Sequence, residues 1–128
     1  MFSNNQLVLQ GKATSAISPF TILAKDTAND GQLIPAIVQG SVTLVGVAPD
    51  YAVAAGAMCP YTAGGVAQVQ VGLASLVDGD ILTNDTNGTA IKASNFSASA
   101  MNSIGTALRN GTQGDIIPVQ VVVQNYSH

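Results

Sequence analysis

The sequence predicts an all-β fold: a small antiparallel β-barrel or β-sandwich with an extended N-terminal arm. Three observations carry that prediction. Glu is missing and Leu and Lys are few, while Gly, Val and Thr are plentiful, which is a strand-and-turn vocabulary. Turn dipeptides punctuate the chain at Asp30-Gly31, Gly64-Gly65, Asp78-Gly79, Asn87-Gly88 and Asn110-Gly111. Between them lie short β-branched runs, several with apolar residues at every second position.

The elements follow in order. Residues 1–10 form the arm and 11–128 a single β domain, in keeping with the length of 128 residues. Phe2, Leu7, Val8 and Leu9 give the arm its apolar character, and they are the candidate residues of an interface with another protein or a neighbouring subunit. A free arm would add as a strand to a neighbour's sheet edge; the other reading makes it the first strand of this chain's own sheet. Ile17 to Ala24 reads as a strand, followed by Leu33 to Gln39 and Ser41 to Val47. Ala48 to Gly56 reads as a loop or one helical turn. In Val66 to Val71 the residues Ala67, Val69 and Val71 share one face and Gln68 and Gln70 the other, the pattern of a half-buried strand.

Asn87-Gly88, with strands near 80–84 and 89–93, predicts a tight type I′ hairpin, whose turn needs two positive φ angles. Phe96 to Asn102 reads as a loop and Ser103 to Arg109 as a strand. Asp115 to Gln124 closes the chain, with Ile117, Val119, Val121 and Val123 facing the core and Gln120 and Gln124 facing away. Pro118 has no N–H to donate, which predicts an edge strand or a bulge there.

Charge narrows the function. Only 9% of residues are charged, against about 25% in a typical soluble domain. There are seven acidic residues, all Asp, and four cations: Lys12, Lys25, Lys92 and Arg109. A net charge of −3 with scattered cations does not fit a nucleic-acid track or a polybasic membrane anchor. No stretch reaches the roughly 18 apolar residues of a membrane span. Met1 to Gln10 has neither a basic start nor an apolar h-region, so no signal peptide is expected. The Asn-x-Ser/Thr triplets at Asn84, Asn87, Asn95, Asn110 and Asn125 are then chance products of a chain rich in these residues.

Candidate chemistry is thin. Cys59 stands alone, so no intrachain disulfide forms, and it is expected to be a buried, inert thiol. The one histidine, His128, is the last residue, which leaves Ser and Cys nucleophiles without a base. Asp78 and Asp80 read as a solvated turn that caps its own backbone rather than a carboxylate pair. Asn84 to Gly88 resembles part of a calcium loop but lacks the closing Glu. No Gly-Lys-Ser/Thr follows a Gly-rich turn to cradle phosphate. The chain is therefore expected to be no enzyme and to use no cofactor or metal.

The second half carries a resemblance. Val66-Ala67-Gln68-Val69-Gln70-Val71-Gly72-Leu73-Ala74, Val77-Asp78-Gly79-Asp80-Ile81-Leu82-Thr83-Asn84-Asp85 and Asn87-Gly88-Thr89-Ala90 occur in that order. Ile104-Gly105-Thr106-Ala107-Leu108 and Gly114-Asp115-Ile116-Ile117-Pro118-Val119 follow. Together these phrases resemble the tailed-phage capsid cement, or head decoration, proteins across residues 64–124. Ile17-Ser18-Pro19-Phe20 and Val45-Gly46-Val47-Ala48 add weaker matches. Met58 to Tyr61 and Asn95 to Asn102 depart from the family pattern. The resemblance implies a structural virion protein, made in the host cytoplasm, that binds the outer surface of a phage capsid. It would bridge and stabilise major capsid protein subunits and pair with itself, as a homotrimer rather than a dimer. The competing expectation is a carbohydrate- or receptor-binding β-module of a phage tail or cell surface.

Overall fold

A computed structural model describes residues 6–37, 43–73, 75–95 and 101–126. Nine strands run through them: β1 Leu7–Ala13, β2 Ile22–Lys25, β3 Gln32–Pro35, β4 Leu44–Val47, β5 Met58–Gln70, β6 Ile81–Asn84, β7 Ala90–Lys92, β8 Met101–Ala107 and β9 Ile116–Tyr126. One 3-10 turn, Ala93–Asn95, follows β7.

The first five strands close a barrel. β1 pairs with β3 in parallel and with β5 antiparallel, and β2 and β4 complete the ring. β4 meets β5 at Val47↔Thr62. The other strands continue from β5 in the order β9, β8, β6, β7. They curl back on themselves: a parallel bridge, Val71↔Ala90, returns β7 to the end of β5 and closes a second ring. The 13-residue β5 therefore belongs to both rings.

The two rings repeat one another in register, 58 or 59 residues apart. Gln10↔Pro60 recurs as Gln68↔Pro118. Leu23↔Gly46 recurs as Leu82↔Gly105, and Val47↔Thr62 as Thr106↔Gln120. The bridge Ile17↔Val53 recurs as Leu76↔Gly111. Sequence follows: Ile22-Leu23-Ala24-Lys25-Asp26-Thr27 is matched by Ile81-Leu82-Thr83-Asn84-Asp85-Thr86.

The cores repeat as well. Ala13, Ile17, Leu23 and Cys59 fill the first ring, where Val71, Leu76, Leu82 and Ile117 fill the second. The second cluster also takes in Ile22, Ala24, Ala36, Leu44 and Val47 from the outside of the first ring. Because neighbours on a strand face opposite ways, Leu23 serves one barrel while Ile22 serves the junction. Hydrogen bonds seal that junction: Ile22 N–H to Gly88 O at 2.8 Å, and Asn84 Nδ2 to Ala36 O at 3.0 Å.

Several expectations need correction. Leu7 to Gln10 belong to β1 of this chain's own barrel rather than to a free arm, each paired with β5; residues 1–5, Phe2 among them, lie outside the described residues. The strand expected from Ile17 starts only at Ile22, because Pro19 and Phe20 turn the chain and Phe20 takes a φ of 61°. β5 begins at Met58, eight residues earlier than the alternation at Val66 suggests. Gly65, at φ 97°, bends it between the two rings.

The β6–β7 hairpin exists, but its turn is not type I′. Only Gly88 has a positive φ, 74°, and Asp85 N–H bonds Thr89 O at 2.9 Å. The loop is thus Thr86-Asn87-Gly88, with Gly88 in the left-handed position. β8 starts at Met101, inside the stretch read as a loop, and ends at Ala107; residues 96–100 lie outside the described residues.

Finally, β9 is neither an edge strand nor bulged at Pro118: it runs between β5 and β8. Pro118 O accepts from Leu108 N–H at 3.0 Å, so the missing proline N–H faces the place where β8 has just ended. Only the last rung of that ladder is lost.

Candidate functional site

The carboxylates are used to tie turns. Asp85 accepts from Asn87 N–H at 2.8 Å, Thr89 N–H at 3.1 Å and the Thr89 hydroxyl. Asp80 accepts from Val77 N–H and Asp115 from Thr112 N–H, both at 2.9 Å, each after a glycine of positive φ. Asp80 thus holds backbone and also lies 3.7 Å from Lys92 Nζ, whereas at Asp78 it is the backbone N–H that donates, to Asn110 Oδ1 at 2.8 Å. Among the described residues, no three His, Cys, Asp or Glu side chains converge to hold a metal. Cys59 is fully buried, its Sγ 3.4 Å from Pro60 O, and burial pushes the thiol up.

Asp26 is the first-ring counterpart of Asp85. Asn29 Nδ2 at 2.9 Å, the Thr14 hydroxyl at 2.7 Å and Ala28 N–H at 2.9 Å hold its carboxyl below the usual range, Asn29 contributing most. The fold favours the ionised form, so this contribution is complete above the unfolded value, about 3.9. It fades as pH falls through the lower folded value. Urea titrations are expected to show wild type more stable than Asp26→Asn at pH 7, the gap closing below about pH 4.

Apolar surface is the chain's more distinctive resource. Leu7, Val8 and Leu9 are 52%, 51% and 43% exposed. Leu7 and Leu9 have the strand parity of buried Gly11 and Ala13, whereas Val8 points outward beside Thr62. On the outer face of the second ring, Val66, Ile81, Leu108 and Val122 are all more than two-fifths exposed. Gln68, Thr106, Pro118 and Gln120 lie between them, so the face carries no charge. Arg109, bonded to Ile116 O at 2.7 Å, and the Lys92–Asp80 pair mark its margins.

Val8 and Val66 are joined by a groove of about 310 Å³ at the junction of the rings, whose walls include Gln6, Phe20, Pro49 and Tyr61. Phe20 is the one non-glycine residue with positive φ among the described residues. A bulky side chain pays about 1–2 kcal/mol for that conformation. The preceding Pro19 sets up the turn that places it there.

Of the candidate contacts read from the sequence, Leu7, Val8 and Leu9 lie together on β1, and Val8 reaches the groove. Val66 and Val122 were missed, although each shares strand parity with glutamines assigned to the solvent face. A valine in such a row was the available signal. Phe20 and Tyr61 come together only through the fold.

No family model matches the chain, and no curated protein does. Among solved structures, the head fiber gp8.5 N base of bacteriophage phi29 aligns over 96% of this chain and 99% of its own, with a TM-score of 0.66 and 17% identity. The chain has the fold of that head fiber base. Covering 96% of the chain, the likeness takes in both rings and the strand they share. Of the antiparallel β-barrel or β-sandwich expected from composition and turn spacing, the chain forms the barrel, with β1 and β3 running parallel within it.

Proposed function

We propose that the chain is a structural virion protein that sits on the outer surface of a phage capsid and stabilises it by bridging major capsid protein subunits. The carrying observation is the full-length likeness to a phage head fiber base. The surface supports the same reading, because it offers uncharged apolar area on the outer face of the second ring. Its partners are the major capsid protein and further copies of itself, as a homotrimer rather than a dimer. Leu7, Val8 and Leu9, with the outer valine face, supply contact area.

The energetics suit such a role. Each contact need only be a modest interface, of order 1,000–2,000 Å² in total. Several contacts made by one oligomer multiply through effective concentration, by roughly 10²–10⁴. Binding only the assembled shell then stabilises it by linkage.

Particles lacking the protein are expected to release DNA at a lower temperature than decorated ones, and adding it back is expected to restore the higher value. A fluorescence melt with a DNA-binding dye reads both, and identical release temperatures would remove the stabilising role. A glycan array addresses the carbohydrate-binding alternative, which requires specific signals lost on substituting Tyr61 or Tyr51.

A further inference from the structure

We propose that Asn87-Gly88 is a site of spontaneous modification, at which the Asn87 amide is lost as ammonia and the isoaspartyl product unseals the two rings. The inference rests on the geometry of one hairpin loop and stands whether or not the virion reading does.

The reaction needs only the chain and water. The Gly88 backbone nitrogen attacks Asn87 Cγ; a C–N bond forms to close a five-membered imide, and the Cγ–Nδ2 bond breaks. The proton of Gly88 N–H passes through solvent to the departing ammonia. Water then adds to the imide and cleaves either of its two C–N bonds. Cleavage at Cγ leaves aspartate. Cleavage at the main-chain carbonyl leaves isoaspartate, in which the chain runs through the side-chain methylene. Glycine permits the attack because no Cβ crowds its nitrogen.

The chain has two Asn-Gly pairs, and the fold treats them differently. Asn110-Gly111 is clamped. Gly111 N–H donates to Leu76 O at 3.0 Å, Leu76 N–H donates to Gly111 O at 2.8 Å, and Asn110 Oδ1 accepts from Asp78 N–H at 2.8 Å. The nucleophile and the amide it would attack are both held in place. Asn87 is exposed, and among the described residues no well-formed hydrogen bond holds its carboxamide, its carbonyl or Gly88 N–H. The peptide plane between Asn87 and Gly88 is free to turn while its flanks stay fixed.

Those flanks give the product its effect. Asp85 Oδ1 accepts from Asn87 N–H and Thr89 N–H, and Asp85 N–H donates to Thr89 O, so the loop has a set span. Isoaspartate adds one main-chain atom inside that span. Gly88 has no room to move inward, since even a Cβ there would meet Thr21 Cγ2 at 2.5 Å. The added atom therefore drives Gly88 outward, and its carbonyl leaves Ile22 N–H, ending the 2.8 Å bond between the rings. Aspartate keeps the ordinary main chain and leaves that bond in place.

The test incubates the full chain in mildly alkaline buffer and follows both sites by peptide mapping and mass spectrometry. Asn87 is expected to lose its amide about thirtyfold faster than Asn110, the factor set by the two bonds that Asn110 and Gly111 N–H must first give up. In concentrated urea the two sites should react at similar rates, and Asn87→Gln should remove the fast site from the folded chain. Hydrogen exchange then compares the isoaspartyl fraction with Asn87→Asp: the Ile22 amide should lose protection in the first and keep it in the second. Equal rates in the folded chain, faster loss at Asn110, or a thirtyfold gap that persists in urea overturns the assignment of the site to the fold. Full protection of Ile22 in the isoaspartyl fraction overturns the unsealing.

Discussion

Replacing Gly105 with Ala is expected to cost about 3–5 kcal/mol and to shift the urea midpoint accordingly. A Cβ at Gly105 would sit on the backbone carbonyl of Gln120, and its neighbour Val119 Cγ1 lies 3.0 Å away. The carbonyl belongs to β9, which is paired on both sides and cannot retreat. Gly46, the counterpart in the first ring, meets the carbonyl oxygen of Thr62 in the same way, and Gly46→Ala should be about as damaging. Gly114→Ala is the control. Its Cβ meets nothing within 4 Å, so only the positive φ is penalised, by about 1–2 kcal/mol. If Gly105→Ala and Gly114→Ala unfold at the same urea concentration, the close approach of β8 to β9 is wrong.

Asp85→Ala is expected to destabilise by about 3 kcal/mol, with Asp85→Asn in between. The carboxylate is 8% exposed and satisfies two loop N–H groups and one hydroxyl. Alanine leaves those donors facing a space that water must enter. The effect should extend past the loop, because Gly72 packs so closely that any Cβ there would strike the Asp85 carboxylate. Asp26→Ala removes the equivalent group from the first ring, where the seal to the neighbouring ring is absent, and should cost less. Chemical denaturation of the three variants orders them; a harmless Asp85→Ala would show that the loop holds itself without the side chain.

Much of this architecture was legible in the residues. Alternation placed Ala67, Val69, Ile117, Val119 and Val121 in the core, where they are. Turn dipeptides marked Gly31, Gly79 and Gly88, all at positive φ. What escaped was long-range. Pro118 looked like an edge signal because a missing N–H is costly inside a sheet, but the cost depends on where the neighbouring strand stops. Asn87-Gly88 looked like a two-residue turn because nothing local reveals that Asp85 supplies side-chain oxygen to the loop. The doubling itself was visible in Ile22-Leu23 with Asp26-Thr27 against Ile81-Leu82 with Asp85-Thr86, and in Gly56 with Pro60 against Gly114 with Pro118. Such sparse identities gain meaning only once strand registers align them. The groove depends on Phe20 and Tyr61 meeting across the fold, which no spacing rule supplies.

The strand common to both rings has a consequence for how the chain comes to be folded. β1 waits for a partner that begins at Met58, and β5 must be present before either ring can close. A nascent chain that stops short of it holds four strands with unsatisfied edges, so ordering is deferred until the chain has left the ribosome as far as Gln70, just past its midpoint. Pairings this distant in sequence make for slow acquisition of structure. They also make the two rings melt together, since losing β5 from one empties the wall of the other.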